Sequence, residues 1–346
     1  MSKSTDEKNT GTIASQTNSP TWPSGDERGM ANFLGPETWL RCAPYLAAPG
    51  ARCYELSHVV SGTMPCTQFS KQLKFEPRAT RALRNSIQVS NMEELIGEQG
   101  GQGTHMDALG HFGYLPQVWD GESPLPVDEV RYYGGYKQCD VKPTPESLLH
   151  RLGIDKVPPI ITTAVLLDAK AYVGRGKALA PGQIITAADL ENMLHAQGLQ
   201  DRGILQGDVL YIYTGWSENW QDPDVDKIYY TKGPGLAYDA AKYLEQKGIV
   251  LVALDNPFTD AVNEGQLKGE APPAKDYPQG LPFAVHHHCL TQAGIHQIQN
   301  ANLTEIAEAQ VWTSCTIILP IRIRGGAGSL VRPIAIGAPA TASSKR

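Results

Sequence analysis

The chain has 346 residues, of which 41% are hydrophobic, and its formal net charge at pH 7 is −6. This length and apolar content suffice for one large domain or two small ones with a complete core, so folding requires no disulfide or structural metal. Acidic and basic residues are spread along the chain without a basic tract, which argues against nucleic acid or an anionic membrane as a partner.

The cysteines and the apolar segments indicate the compartment. Six cysteines are scattered without a Cys-x-x-Cys pair, which argues against a structural zinc site and a disulfide framework. No stretch resembles a signal peptide or approaches the length needed to span a membrane. We therefore expect a cytoplasmic protein with no membrane partner.

The amino-terminal third begins with a polar segment that offers little surface to bury. We expect a disordered tail over residues 1–30 and a single domain over residues 31–340. Residues 31–49 predict a short helix or cap, and residues 54–60 predict the first strand. Residues 68–89 mix apolar and basic side chains without a helical period, which indicates strands or a flap over a pocket.

Residues 100–113 carry two histidines and one carboxylate within a frame of glycines. If this segment is extended, His105 and Asp107 project to the same side, because strand side chains repeat every second residue. Imidazole and carboxylate are ligands that zinc and manganese accept. His111 follows closely enough to move protons at the same site. The alternative is a His–Asp hydrogen bond that only stabilises a turn.

The remaining chain alternates apolar and helical segments. Strands are predicted at Ile160–Asp168, Val209–Tyr213, 249–254 and 312–323, and helices are predicted from Thr186 onward and over residues 237–247. No Gly-x-Gly-x-x-Gly or Walker loop is present, so a nucleotide-binding α/β fold has no support.

Two tryptophans follow the strand predicted at Val209–Tyr213. Because loops at strand ends often meet ligands, Trp216 and Trp220 are candidates for contact with an aromatic substrate. Packing in the core is the equally ordinary alternative for each of them.

Residues 100–113 resemble the signature of the cyclase family of metal-dependent hydrolases, which includes bacterial kynurenine formamidase and isatin hydrolase. The family form is His-x-Gly-Thr-His-x-Asp-x-Pro-x-His, and five of its seven fixed positions match, with Gly101 replacing the first His and Leu109 the Pro. Further short matches follow in order up to residues 325–332. The resemblance implies an α/β fold with a β-rich, barrel-like sheet and outer helices, of the swivelling β/β/α type, assembled as a homodimer or homotetramer.

The resemblance also implies the remaining metal ligands. In the family a later His, and a Glu twelve residues beyond it, complete the site, and an Asn follows the Glu. Counting back from Gln299, which stands in place of that Glu before Asn300, selects His287. The predicted ligands are therefore His105, Asp107, His287 and Gln299. Because the first His and the Glu are missing, we expect one divalent ion, Mn²⁺ or Zn²⁺, rather than two.

The predicted reaction is arylformamidase-like hydrolysis of a small amide, formamide, cyclic amide or lactone by metal-activated water, with His111 as the acid–base group. Small aromatic substrates such as N-formylkynurenine or isatin are what the resemblance suggests. Two alternatives remain: a cyclase or dehydratase that uses the same metal, and a catalytically inactive relative that binds a small ligand, since Gly101 and Gln299 depart from the family pattern.

Overall fold

The computed structural model describes residues 22–98 and 100–340. The helices are α1 (Pro36–Leu46), α2 (Gln138–Val141), α3 (Ala169–Tyr172), α4 (Ala187–Ala196), α5 (Tyr238–Lys247), α6 (Ala284–His286) and α7 (Thr304–Glu308). A π-helical turn, His287–Ala293, continues directly from α6. Within the described ranges, no helix has both the length and the apolar character that crossing a bilayer requires.

The strands fall into one large sheet and three short pairs. They are β1 (Arg52–Glu55), β2 (Lys74–Pro77), β3 (Arg81–Ala82), β4 (Val89–Ser90), β5 (Glu93–Ile96), β6 (His105–Asp107), β7 (Ile160–Asp168), β8 (Ile184–Ile185), β9 (Val209–Tyr213), β10 (Gly235–Leu236), β11 (Leu251–Leu254), β12 (His296–Gln299), β13 (Thr313–Ile318), β14 (Gly328–Leu330) and β15 (Ile334–Gly337).

The large sheet curls into a half-barrel with the strand order β1-β15-β13-β7-β9-β11-β12-β6-β14. Its centre, from β7 to β12, is parallel, and the strands on either side of that centre pair antiparallel. Parallel strands require crossover connections, and helices in those connections cover the sheet. The predicted α/β class, with a barrel-like sheet and outer helices, is confirmed.

Strand β7 shows why its sequence predicts a buried strand. Ala164 and Leu166 enter the hydrophobic cluster on one face of the sheet, while Val165 and Leu167 enter the cluster on the other face. A strand with both faces covered has no polar side to present, so its residues form a continuous apolar run rather than an alternating one. The predicted bounds are confirmed.

Helix α4 begins, and helix α5 ends, where the sequence predicts. Thr186 caps α4, since its hydroxyl accepts from the Asp189 backbone N–H at 3.1 Å and the Asp189 carboxylate accepts from the Thr186 N–H at 2.9 Å. Helix α5 ends at Gly248, whose φ of +66° is the left-handed conformation that glycine adopts readily.

The amino-terminal prediction needs a correction over residues 22–30. Residues 1–21 of the predicted tail lie outside the described residues. From there on the chain packs against the domain: Met30 is fully buried, the Trp22 ring lies 5.0 Å from Phe33, and Glu27 accepts from the Leu152 N–H at 2.7 Å. Residues 22–30 are mostly polar, so these few contacts with the domain could not be inferred from the sequence.

Residues 74–96 form a hairpin arm outside the large sheet. Strand β2 pairs with β5, and β3 pairs with β4 nearer the tip. This segment overlaps the one for which strands or a flap were predicted, and strands are what it forms. The arm leaves the domain after Leu73, which is buried, and returns at Gly97.

Candidate active site

The register of β6 and β12 builds the floor of the site. His105 lies opposite Gln299 and Asp107 lies opposite Gln297. Because strand side chains alternate, His105 and Asp107 share one face while Met106 enters the core on the other. The extended conformation expected from the sequence therefore brings the imidazole and the carboxylate to one side.

Strand β14 pairs with β6 and places a glycine opposite Asp107. Gly328 lies opposite Asp107, and a Cβ atom added there would meet the Met106 carbonyl oxygen at 2.8 Å and the Gly100 carbonyl oxygen at 3.0 Å. The backbones approach too closely for a side chain, so glycine is required.

Asp107 is the centre of a cluster of imidazoles. Its Oδ1 lies 3.9 Å from His105 Nε2 and 4.0 Å from His111 Nε2, and its Oδ2 lies 3.6 Å from His286 Nε2. Burial alone would raise the pKa of Asp107, but His111, His286 and His105 together hold that pKa well below its ordinary value. The carboxylate is therefore ionised, although the residue is only 1% exposed.

The hydrogen bond of His105 fixes which ring nitrogen carries its proton. Nδ1 lies 3.0 Å from the Gly103 carbonyl oxygen, and a carbonyl can only accept, so Nδ1 is the protonated atom. Burial lowers the pKa of His105 and keeps the ring neutral. Its Nε2 therefore presents a lone pair towards Asp107 Oδ1, and that buried oxygen has no hydrogen-bond partner among the described residues.

His286 is oriented in the same manner by a second buried carboxylate. Its Nδ1–H donates to Asp260 Oδ2 at 2.5 Å, and Asp260 also accepts from the backbone N–H groups of Val285 at 2.6 Å and of His286 at 3.1 Å. Burial lowers the pKa of His286, but Asp107 and Asp260 outweigh this effect and raise it to about 9. Nε2 of His286 is thereby directed at Asp107.

The structure places His286, and not His287, in this cluster. His287 points to the other side, where Tyr114 meets its ring at a centroid distance of 5.5 Å and Thr291 lies 3.4 Å from its Nδ1. The prediction of His287 as the residue beside His105 and Asp107 is therefore corrected to His286. A π-helical turn begins directly after His286, and the interval from His286 to Gln299 is thirteen residues rather than the twelve counted from the sequence.

Gln299 contacts the cluster through its amide nitrogen. Nε2 donates to Asp107 Oδ2 at 2.9 Å and to Thr259 Oγ1 at 3.2 Å, whereas Oε1 has no partner among the described residues. The reverse amide orientation would set a carbonyl oxygen against an ionised carboxylate, which is unfavourable. Gln299 thus holds Asp107 in place, whereas the sequence had placed it among the ligands.

A cavity of about 650 Å³ opens over the cluster. Its polar lining includes His105, Asp107, His111, His286 and Gln299. The remaining lining includes aromatic side chains and glycines: Phe69, Phe112, Tyr230, Phe258, Phe283, Gly97, Gly100, Gly101, Gly326 and Gly328.

The two tryptophans predicted to contact substrate are placed behind the cavity. Trp216 is 4% exposed and donates to the Tyr229 carbonyl oxygen at 3.2 Å, and Trp220 stacks on His58 at a centroid distance of 4.1 Å. Both pack against the aromatic cluster that contains Tyr230. The predicted contact is corrected: Tyr230 and the phenylalanines line the cavity instead.

The position of the missing first histidine is filled from the arm side of the cavity. A Cβ atom added at Gly101 would lie 2.8 Å from Ser70 Oγ and 3.9 Å from Glu98 Oε1. Ser70 thus occupies the space into which a longer side chain at residue 101 would have to grow.

Asp260, His286 and the phenylalanines were missed from the sequence. Asp260 belongs to a long Pro-rich segment whose relation to the site could not be placed, although it follows a predicted strand, where functional groups concentrate. The phenylalanines come from distant segments, and no spacing relates them.

The donor chemistry at Asp107 fits a divalent cation. In the part of the chain that the structure describes, no three His, Cys, Asp or Glu side chains already form a closed ligand group. Two donors that are each ~2.1 Å from one ion are at most ~4.2 Å apart. The 3.9 Å between His105 Nε2 and Asp107 Oδ1 lies within that limit. Burying two hydrogen-bond acceptors that face each other with no donor between them costs free energy, and a cation bound by both would remove that cost.

A half-barrel sheet with buried imidazoles and a carboxylate beside an aromatic cavity defines an α/β protein with a candidate active site on its large sheet. The cyclase family model matches residues 54–261, more than half of the chain, and the chain belongs to the cyclase family.

Relatives and solved structures agree with this membership. Kynurenine formamidases of Bacillus cereus and Bacillus thuringiensis are 26% and 25% identical over 175 residues, which are 49% of this chain and 65% of each relative. The match thus spans slightly less than two thirds of those relatives' length.

Two crystal structures share the fold. The structure of a novel cyclase has a TM-score of 0.72 at 22% identity and covers 91% of this chain and 95% of its own. Isatin hydrolase A from Labrenzia aggregata, bound to benzyl benzoate, has a TM-score of 0.55 at 17% identity, with 86% of this chain and 97% of its own covered.

Proposed function

We propose that this chain is a metal-dependent hydrolase of a small, neutral aromatic or cyclic amide, formamide or lactone. The observation that carries the proposal is the buried Asp107 Oδ1, which has no hydrogen-bond partner in the part of the chain that the structure describes and faces Nε2 of His105 at 3.9 Å and of His111 at 4.0 Å. The kynurenine formamidases among the relatives support hydrolysis of a carbon–nitrogen bond.

His105, Asp107 and His286 would hold one divalent ion, Mn²⁺ or Zn²⁺. A bound ion of this kind lowers the pKa of water and polarises a carbonyl group. Asp260 and Gln299 would not bind the ion themselves. They orient the residues that would bind it. Asp260 fixes the tautomer of His286, and Gln299 steadies Asp107 through its 2.9 Å hydrogen bond.

His111 has the position of the proton carrier. Its side chain is 35% exposed, so it stands between the buried carboxylate and solvent, with Nε2 4.0 Å from Asp107. It takes a proton from the attacking water and returns it to the leaving nitrogen or oxygen, which is the common work of an enzyme imidazole at neutral pH.

The cavity selects a flat and uncharged substrate. Phenylalanine rings and glycines line the cavity, and aromatic rings stack favourably on a planar substrate. Among the described residues that line the cavity there is no Lys or Arg, and the acidic members are Asp107 and Glu98. N-formylkynurenine carries a carboxylate that would find no Lys or Arg partner here. A neutral aryl formamide or a cyclic amide of the isatin type fits better.

The test is a hydrolysis screen on purified protein. Neutral aryl formamides, cyclic amides and aryl lactones are assayed after chelation and after reloading with Mn²⁺ or Zn²⁺, beside the matched carboxylate-bearing formamides. We expect metal-dependent turnover of the neutral compounds: the cyclic amides and lactones should give one product with an added water, and the formamides should give an arylamine and formate. His111→Ala should lower kcat by roughly 10²- to 10⁴-fold at unchanged metal content.

His195→Ala serves as the control, because this histidine is exposed on α4. It should retain full activity. Turnover that survives chelation, a full rate for His111→Ala, or no hydrolysis with either metal would each overturn the proposal. A product that has lost water instead would identify a dehydratase.

A further inference from the structure

Tyr230 lies in the wall of the cavity that opens over Asp107. The residue belongs to a short 3-10 turn, Tyr229–Thr231, and is 7% exposed. Its ring packs edge-on against Tyr229 at a centroid distance of 5.3 Å and against Phe258 at 6.3 Å. These contacts hold the ring, and the hydroxyl at its end, in one place.

The side-chain amide of Asn300 determines how the Tyr230 hydroxyl can bond. Asn300 Nδ2 lies 2.6 Å from the Gly103 carbonyl oxygen and 2.7 Å from Tyr230 Oη. A carbonyl oxygen can only accept, so the Asn300 atom beside it is the amide nitrogen and not the amide oxygen. One N–H of Asn300 donates to Gly103 and the other donates to Tyr230. The Tyr230 oxygen is therefore the acceptor in this contact.

The proton of the Tyr230 hydroxyl is consequently unused. A hydroxyl that accepts on one side keeps its own hydrogen for a different acceptor. Among the residues that the structure describes, Asn300 is the hydrogen-bond partner of Tyr230 Oη, and it is a donor. Burial raises the pKa of Tyr230 well above its ordinary value, so the phenol stays protonated at neutral pH. Tyr230 thus offers the cavity a free hydrogen-bond donor.

The Tyr230 hydroxyl is close to the imidazole of His105. Asn300 Nδ2 is 2.7 Å from Tyr230 Oη and 3.4 Å from His105 Nδ1. Tyr230 Oη is therefore no farther from His105 Nδ1 than these two distances combined. His105 and Asp107 line the same cavity as Tyr230. A small substrate that lies over the pair His105 and Asp107 comes within reach of the Tyr230 hydroxyl.

A hydroxyl at this place in the wall is not required for packing. The other large aromatic rings of the wall belong to phenylalanines, which carry no hydrogen-bond donor: Phe69, Phe112, Phe258 and Phe283. A phenylalanine at residue 230 would also fill the space of the ring. Acceptance from Asn300 is a structural reason for the oxygen, but it leaves the buried O–H proton unpaired, which costs free energy unless a ligand accepts it.

We propose that Tyr230 is a further catalytic residue, whose phenolic O–H donates to the carbonyl oxygen of the substrate. The inference rests on the proposed hydrolysis. When water attacks the carbonyl carbon, the π electron pair moves onto the oxygen, and the hydrogen bond from Tyr230 strengthens because its acceptor becomes charged. The attacking water gives one proton to His111. The electron pair then reforms the carbonyl as the bond to the leaving nitrogen or oxygen breaks, and His111 returns the proton to that atom. Tyr230 keeps its own proton throughout.

The kinetic test compares Tyr230→Phe with Tyr229→Phe on a neutral aryl formamide. Both changes remove one phenolic oxygen and keep the ring. Tyr229 is fully buried, does not line the cavity and donates to the Asp255 carbonyl oxygen at 3.1 Å. Since loss of one oxyanion donor costs roughly 10²- to 10³-fold in kcat, we expect that loss for Tyr230→Phe. Its metal Kd should stay unchanged and its KM should rise far less than kcat falls, whereas Tyr229→Phe should keep full activity.

Infrared difference spectroscopy gives a second readout that needs neither turnover nor metal. Acetophenone carries an aryl carbonyl that cannot be hydrolysed, and its C=O stretch moves to lower frequency when the oxygen accepts a hydrogen bond. In chelated protein no cation polarises this carbonyl. We expect a lowered stretch of isotope-labelled acetophenone in the natural chain and in Tyr229→Phe. In Tyr230→Phe the stretch should lie higher, and the acetophenone Kd should rise roughly 2- to 10-fold, as the loss of one neutral hydrogen bond gives.

The two readouts separate this inference from the proposed function. If the natural chain hydrolyses none of the compounds, the proposed function fails, and a stretch that depends on Tyr230 still supports the hydrogen bond to a ligand carbonyl. A stretch that is the same in Tyr230→Phe and in the natural chain overturns the inference, because the hydroxyl then serves only Asn300. A full kcat in Tyr230→Phe, or equal losses of kcat in both variants, overturns it as well. Thermal unfolding checks that both variants are folded.

Discussion

Asp260→Asn is the most informative single change at the site, because it alters one atom and reverses a tautomer. Asp260 accepts three hydrogen bonds, including 2.5 Å from His286 Nδ1–H. To bind a metal, His286 must be neutral with its one proton on Nδ1, and an asparagine amide that donates to Nδ1 would force that proton onto Nε2. The nitrogen that faces Asp107 would then be a donor, and it could no longer hold a cation.

The expected loss has two parts. Hydrogen bonds to a charged acceptor contribute ~1.5–3 kcal/mol each, so the metal-free variant should unfold more easily by about 2 kcal/mol. Loss of a carboxylate that orients a ligating histidine costs roughly 10- to 100-fold in metal affinity or activity. In free energy this is about 1.4–2.7 kcal/mol.

Isothermal titration with Mn²⁺ and Zn²⁺ measures the affinity, and urea unfolding of the chelated protein measures the stability. Asp255→Asn is the matched control. Asp255 is also fully buried and accepts from Thr214 and Gly215 at 2.6–2.9 Å, but it contacts no histidine. The control should lose stability and keep its metal affinity. Equal metal affinity in Asp260→Asn and the natural chain would refute the orienting role of Asp260.

Two further predictions concern single histidines. His286→Ala should abolish metal binding, as measured by titration. His287→Ala should leave the metal Kd within about threefold, since His287 packs on Tyr114 away from Asp107. The reverse result would show that His287 is the metal ligand, as the interval counted from the sequence predicts. The second concerns stability in acid. Burial lowers the pKa of His58 to about 4, against 6.5 when unfolded. The unfolded chain therefore binds more protons below pH 6.5, and stability is full above that pH and declines towards pH 4. His58→Phe keeps a ring against Trp220, so between pH 7 and pH 5 it should lose about 2 kcal/mol less stability than the natural chain, as measured by urea unfolding. An identical loss in both proteins would contradict this account.

The buried framework was the most predictable part of the molecule. Strands such as Ile160–Asp168 and Val209–Tyr213 are covered on both faces, so their sequence is apolar throughout and needs no knowledge of neighbours. His105 and Asp107 were predicted to share a side because they belong to one strand, and β6 places them so.

Features that depend on how distant segments of the chain pack together were less predictable. The interval from Gln299 pointed to His287, whereas the histidine beside Asp107 is His286, directly before a π-helical turn. Trp216 and Trp220 follow a strand, where an aromatic ring packs inward or outward according to neighbours that come from elsewhere in the chain. Asp260 acquires its role only through contact with His286, twenty-six residues away.

Ser70 limits which side chains residue 101 can carry. Its Oγ lies 2.8 Å from where a Cβ atom at residue 101 would be. A histidine introduced there would meet this hydroxyl before it reached any ion. A longer side chain at residue 101 would therefore require the Ser70 hydroxyl to rotate away or a smaller residue at position 70, so the two positions are coupled by packing.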